Sequence, residues 1–371
     1  MKRFISIMAM SAIVAGIVSC GKEEIDSQAE KDAQFKEIAE NFLTKTVYPT
    51  YAALADATEE LVENLNSFKA SPSQDKLDKA CKTFLAARSQ WELSEAFLFG
   101  AATDFGIDPH IDSWPLDEDG FNDLMASPKI LANMDGEDGA EYAGNKLGNE
   151  LLGFHGIEYI LFENGAPKQV SKITGNEAIY VVAVSGDLRN RTAQLDVAWR
   201  GDAAPKARVE LVEDLELNTT VGGGDLNYGE NLLAAGQAGS TFRSWTHAMQ
   251  AILQACSDIA DEVGTSKIGK AHTGEDKSYI ESPYSENSIA DFYDNITSVK
   301  NVYTHFHKYL EENDKDVDAA LSAAIENALA KVKAMKAPFV TNFTDNSAST
   351  AMQACAELDE QIGKAITSIA Q

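Results

Sequence analysis

"AIYVVAVSGDL", residues 178–188, is the stretch whose reading decides the fold. Taken alone it is a strand, because Ile179, Val181, Val182 and Val184 are β-branched and Tyr180 is aromatic, the types that sheets favour. A strand needs a partner, and no other stretch of the 371 residues offers one of similar quality. Everything around it carries helical spacing. Read as a buried helix in which packing overrides propensity, it makes the chain all-α.

The neighbouring segments support that reading. Phe35, Ile38, Ala39 and Phe42 fall at i, i+3, i+4 and i+7, one face of a helix. Leu54, Ala57, Leu61, Leu65 and Phe68 continue the pattern beyond Pro49, which kinks or restarts the helix. "SPSQ" offers the next start, with Ser71 as N-cap, Pro72 in the first turn and Gln74 closing a capping box. That helix runs through Leu77, Cys81, Phe84 and Trp91 towards Gly100, and Cys355, Leu358, Ile362, Ile366 and Ile369 mark a final one. Between them, residues 100–123 read as a long loop holding aromatic and acidic residues, which favours a functional role. A glycine-rich connection at 218–231 lacks the preceding strand and the lysine of a phosphate-binding loop. The length suits two domains, with the boundary near 201–230: a first bundle at 33–205 and a second at 206–371.

Composition limits the partners. The 44% of hydrophobic residues can bury a sizeable core, while the formal charge of −27 repels nucleic acid and anionic membrane surfaces and tolerates or attracts cations. Residues 1–19 read as a leader, with Lys2 and Arg3 before an apolar run from Ile5 to Val18. The leader ends at "IVSC", which resembles a bacterial lipobox and makes Cys20 the lipidated residue. The membrane is then reached through a lipid anchor alone. Residues 20–32 form an acidic tether that reads equally as a plain flexible linker or as a surface-sorting tag. Cys81, Cys256 and Cys355 lie among apolar residues at helical spacing, as buried free thiols do.

The chemistry centres on "GFHGIEYILF", residues 153–162. His155 and Glu158 are three apart and share a helix face. An imidazole and a carboxylate suit zinc, iron or manganese. Two ligands make no site, and helical bundles recruit the rest from neighbouring helices. Glu92, Glu95, Asp112 and Asp117 are the candidates, and a hydrogen-bonded pair without metal remains the simpler alternative. Gly153 and Gly156 flank His155 and signal close approach of another group, since glycine costs about 1 kcal/mol in a helix. The zinc-protease pattern His-Glu-x-x-His is absent, as is any Gly-x-Ser-x-Gly elbow.

"GFHGIE" matches the Gly-x-His-x-x-Glu motif of the imelysin family, and "VYPTYAAL" (47–54), "WELSEAFLFG" (91–100), "DSWPLD" (112–117), "DLRNRTAQLDVAW" (187–199), "DEVGTSKIG" (261–269) and "SPYSENSIADFYDNITSVKNVY" (282–303) resemble that family in the same order. The resemblance implies two helical-bundle-like halves packed together with a cleft between them. By motif it carries His155, Glu158, Glu95 and Asp112 over as metal ligands. Trp114, Asp117, Arg191, Ser285 and Asp291 follow as cleft residues, with Arg191 neutralising a carboxylate. "VYTHFH" departs from the pattern, with His305 where members often have glycine. Read residue by residue, Trp91 and Phe97 are core, Asp117 and Asp291 suit helix caps, and Ser285 suits an N-cap.

The expected function is that of a lipid-anchored metal-binding protein of the cell envelope. It would sit at the outer membrane, surface exposure being one option, and take part in metal acquisition with an envelope transport partner. The cofactor or cargo is a metal ion, iron favoured and zinc an option. A metallopeptidase is the second reading. A non-catalytic module binding peptide or polysaccharide in the cleft is the third.

Overall fold

Residues 178–188 form the middle of a 26-residue helix, Gly175–Arg200, in the computed structural model, which describes residues 14–371 and their side chains from residue 27 onward. A capping box starts the helix. The Thr174 side chain accepts from the Glu177 amide, and the Glu177 carboxylate accepts from the Thr174 amide. Tyr180, Val181, Val184 and Leu188 are fully buried. β-Branching costs a helix at most about 0.7 kcal/mol per residue, whereas burying a valine or leucine gains about 1.5–3 kcal/mol. Packing therefore wins.

That helix packs against Tyr48–Ala70, which in turn packs against Gln74–Glu92. A second group comprises Trp245–Glu262, Ser288–Asn313, Lys315–Lys333 and Asn346–Ala370. One apolar core runs through both groups. The helix Val14–Phe42 ties them together: Phe35 lies 4.9 Å from the Tyr309 ring and Phe42 lies 5.9 Å from Phe97. Among the described residues the strands are limited to a hairpin, Phe162–Glu163 with Ala166–Pro167. The fold is all-α.

Several local expectations are corrected. The leader falls largely outside the described residues, as does the Cys20 side chain. The stretch 20–32 is helical rather than a flexible tether; its glutamates, lysines, glutamine and single alanine are good helix formers. Ser73, not Ser71, caps Gln74–Glu92, accepting from the Lys76 amide. Ser71 already ends the preceding helix. Gln74 instead ties its amide to Lys168 and Val170. Residues 100–123 are a string of short helices, including Ile107–Ile111 and the start of Glu118–Met125, because Ile107, Ile111 and Phe121 bury themselves. Pro49 restarts a helix after a π-helical turn, Leu43–Val47.

Candidate metal centre

The helix Gly153–Leu161 starts against the end of Ile107–Ile111, and Gly153 makes this possible. Its φ is +64°, and a Cβ there would lie 1.9 Å from the Ile111 carbonyl oxygen. A Cβ on Gly156 would meet the Tyr180 hydroxyl at 2.3 Å. Both glycines thus mark the close approach expected of them. They bring His155 beside Asp112, the residue after Ile111.

His155 is buried, 2% exposed. Its Nδ1 lies 3.5 Å from Glu158 Oε2, and its Nε2 lies 3.2 Å from Asp112 Oδ1 but off the line a hydrogen bond needs. Burial opposes the imidazolium, yet Asp112 and Glu158 outweigh it and raise the pKa to about 9. Glu158 is not free to serve as a ligand in the way the spacing suggested. Its Oε1 accepts from the Tyr284 amide at 3.1 Å and from the Ser285 amide and hydroxyl, each at 2.7 Å. Glu158 therefore pins the 284–285 loop with one oxygen and faces His155 Nδ1 with the other. In metal sites, a carboxylate in this position orients the ring so that its second nitrogen can serve as a ligand.

Two buried cations share the site. Arg88 is fully buried and pairs with Asp112, with Glu92 at 2.5 Å and with Glu281 at 2.6 Å, while its Nε is 3.6 Å from Asp291. Lys267 ends a second π-helical turn, Val263–Lys267, which carries it into the core. Its ammonium lies 3.0 Å from Glu281, 3.6 Å from Glu92 and 3.9 Å from Glu95. Three cationic groups (Arg88, Lys267 and His155) thus face Glu92, Glu95, Asp112, Glu158, Glu281 and Asp291. The excess of carboxylates shows in their titration. Burial, with neighbouring carboxylates, pushes Glu281 up to about 7 and Glu95 and Asp291 well above the usual range. For Asp112 burial acts the same way, but Arg88 outweighs it and holds the carboxyl below the usual range.

Once His155 gives up its proton, the donor set fits a metal ion. His155 Nε2 and Glu281 Oε2 are buried without a hydrogen-bond partner. One ligand atom each from Asp112, His155 and Glu281 lies within 4.8 Å of the others, and so do those of Glu92, Glu95 and Asp112. Ligands at about 2.1 Å from an ion lie at most about 4.2 Å apart, so closure requires only a small shift. An imidazole with carboxylates suits iron, manganese or zinc.

The cluster forms the floor of a cleft, which Glu95, Asp112 and Lys267 line while His155, Glu158 and Arg88 lie behind them. The cleft, about 240 Å³, is lined by Glu95, Asp108, Asp112 and Trp114 from the first half and by Glu262, Lys267 and Tyr279 from the second. Trp114 packs 5.7 Å from the His155 ring and 5.0 Å from Tyr279. Ser285 and Asp291 reach the cluster, through Glu158 and Arg88 respectively. Asp291 accepts from Ser282 and Asn287 instead of capping its helix, whose N-cap is Asn287. Two expected cleft residues lie elsewhere. Asp117 is exposed and caps Glu118–Met125, accepting from Gly120 at 2.9 Å. Arg191 lies 3.7 Å from Asp187 and lines a separate small pocket with Glu141 and Asn190. Asp187 takes His110 as its closer partner, at 2.7 Å.

The sequence reading missed Arg88, Lys267 and Glu281. A signal existed for Arg88: it falls on the Cys81, Phe84 and Trp91 face, where a charge is out of place. Lys267 and Glu281 gave none, since a π-helical turn and an irregular segment bring them in.

An all-helical protein whose two halves close on a buried histidine–carboxylate cluster is the class these features define. The chain belongs to the imelysin family, whose model matches residues 47–365. It is 26% identical over 264 residues to iron-regulated protein A of Synechococcus elongatus, a match covering 71% of this chain and 63% of that protein, so the chain spans under two thirds of the relative's length. Its structure resembles that of an iron-regulated protein A precursor from Parabacteroides distasonis, with a TM-score of 0.73, 26% identity, and 91% and 95% of the two chains covered. An imelysin-like protein from Psychrobacter arcticum shares the fold, with a TM-score of 0.63, 16% identity, and 89% and 93% covered.

Proposed function

We propose that this chain binds a metal ion, with iron favoured, between its two halves and serves metal acquisition at the cell envelope. The observation that carries the reading is the buried, unpartnered His155 Nε2 beside Asp112 and the unpartnered Glu281 Oε2, with Glu158 fixing the ring from the other side. His155, Asp112 and Glu281 would hold the ion, and Glu92 and Glu95 would supply further carboxylates. The names of the Synechococcus and Parabacteroides relatives, both iron-regulated protein A, support iron over zinc. The −27 charge would draw cations towards the cleft.

Cys20 would anchor the chain by lipid, and no described helix is long and apolar enough to cross a membrane. Cys20→Ala would then move the protein from the membrane fraction to the soluble one, and an unchanged distribution would remove the anchor from the proposal. The peptidase reading gains nothing from the geometry, because His155 and Glu158 are 2% and 0% exposed.

Calorimetric titration of Fe(II), Zn(II) and Mn(II) into the full chain tests the reading. Micromolar or tighter binding that disappears in His155→Ala is the expected result. Binding that survives the substitution would place the ion elsewhere.

A further inference from the structure

We propose that Lys267 is a tethered counter-cation which a multivalent metal ion displaces into the cleft. The inference rests on the metal reading above and concerns how the site fills.

Lys267 occupies the place a cation would take. Its ammonium touches carboxylates from both metal-capable groups: Glu281 of the histidine group, and Glu92 and Glu95 of the other. A doubly charged ion at either group meets that ammonium at close range, and like charges in a buried site repel strongly. Either the ion stays out or the ammonium moves.

The structure gives the ammonium somewhere to go. Lys267 itself lines the 240 Å³ cleft, so its flexible four-carbon stem borders open space. Asp108 and Glu262 line the same cleft, and among the described residues neither carboxylate has a hydrogen bond or an ion pair of its own. They form a second resting place for the ammonium. The exchange conserves charge pairing. The metal takes over Glu281, Glu92 and Glu95, while Lys267 turns to Asp108 and Glu262.

Such a device sets specificity by charge. A monovalent cation offers the carboxylates no more than the ammonium already gives them, whereas a divalent or trivalent ion does. The tether also supplies a release route, since the ammonium remains attached and competes whenever the ion leaves.

Calorimetry on the full chain with Fe(II), Mn(II) and Zn(II) tests the exchange in four forms: unaltered, His155→Ala, Lys267→Met, and the double variant Asp108→Asn with Glu262→Gln. Lys267→Met is expected to tighten metal binding at least tenfold. The double variant is expected to weaken it severalfold, although neither residue is a ligand. The double variant alters only partly exposed groups, so it keeps the test valid even if Lys267→Met fails to fold. Metal binding lost in His155→Ala but unchanged in the double variant, and unchanged or weaker in a folded Lys267→Met, would overturn the exchange and leave the metal site standing. No binding in any form would overturn both.

Discussion

Arg88 and His155 carry positive charge where nothing in the surroundings is wet. Burial opposes the charge of Arg88, and Asp112, Glu92 and Glu281, which hold it, outweigh that cost. Buried ion networks of this kind add little stability over apolar packing, yet removing one partner costs about 3–5 kcal/mol. They are better understood as arrangements kept for a site than as ornaments of the core. The titration of His155 has a consequence for stability. A group whose folded pKa is raised stabilises the fold fully below its unfolded value and loses that contribution as pH rises through the folded value. For His155 the loss runs from its ordinary 6.5 to about 9. Glu281 and Asp108, each pushed up to about 7 chiefly by burial, lose theirs between the ordinary carboxylate range and 7. All three have the same sign. The thermal midpoint of the metal-free chain should fall as pH is raised from about 7 to about 9, above the range in which His305, lowered to about 4 by burial, acts in the opposite sense, as read by calorimetric scans. A midpoint that climbs across that interval would contradict the placement of these groups.

The elements that position the cluster are short, and their positions depend on close contacts between backbones. Gly153 lets Gly153–Leu161 begin against the Ile111 carbonyl, one residue from Asp112. Gly153→Ala would impose a left-handed conformation on a residue with a Cβ, costing about 1–2 kcal/mol, and would drive that Cβ into Ile111. The Ile111–Asp112 segment must then shift, and the gap between His155 and Asp112 with it. Denaturant titration should show a loss of at least about 2 kcal/mol, accompanied by weaker metal binding. Wild-type stability with wild-type affinity would show that the glycine is incidental. This scale also marks how far the sequence could be read. The long helices were legible because their apolar spacing is sustained, and Gly175–Arg200 was legible even against its β-branched residues, since no strand partner exists. The short elements were not. The helices within 100–123 are held by a few buried side chains such as Ile107 and Phe121, too few to show a period. The turn carrying Lys267 is π-helical, a geometry that no spacing rule announces.

Across the whole molecule, the two helical groups share one core and meet at the cluster. Arg88, Glu92, Asp112, His155 and Glu158 come from the first half of the chain, and Lys267, Glu281, Ser285 and Asp291 from the second. Resemblance to known motifs singled out His155, Glu158, Glu95, Asp112, Ser285 and Asp291, because each lies in a recognisable stretch. It also nominated Asp117 and Arg191, which share those stretches but face a helix end and a different pocket; motif membership does not fix which way a side chain points. Arg88 was legible only as a charge on the apolar Cys81, Phe84 and Trp91 face, and Lys267 was not legible because a π-helical turn brings it in. What the halves hold between them is decided most directly by anomalous diffraction from crystals of the full chain loaded with iron. A single strong peak bounded by His155 Nε2, Asp112 and Glu281 is the expected result. Iron bound at another place, or crystals that take up none while His155 stays between Asp112 and Glu158, would contradict a metal centre at this cluster.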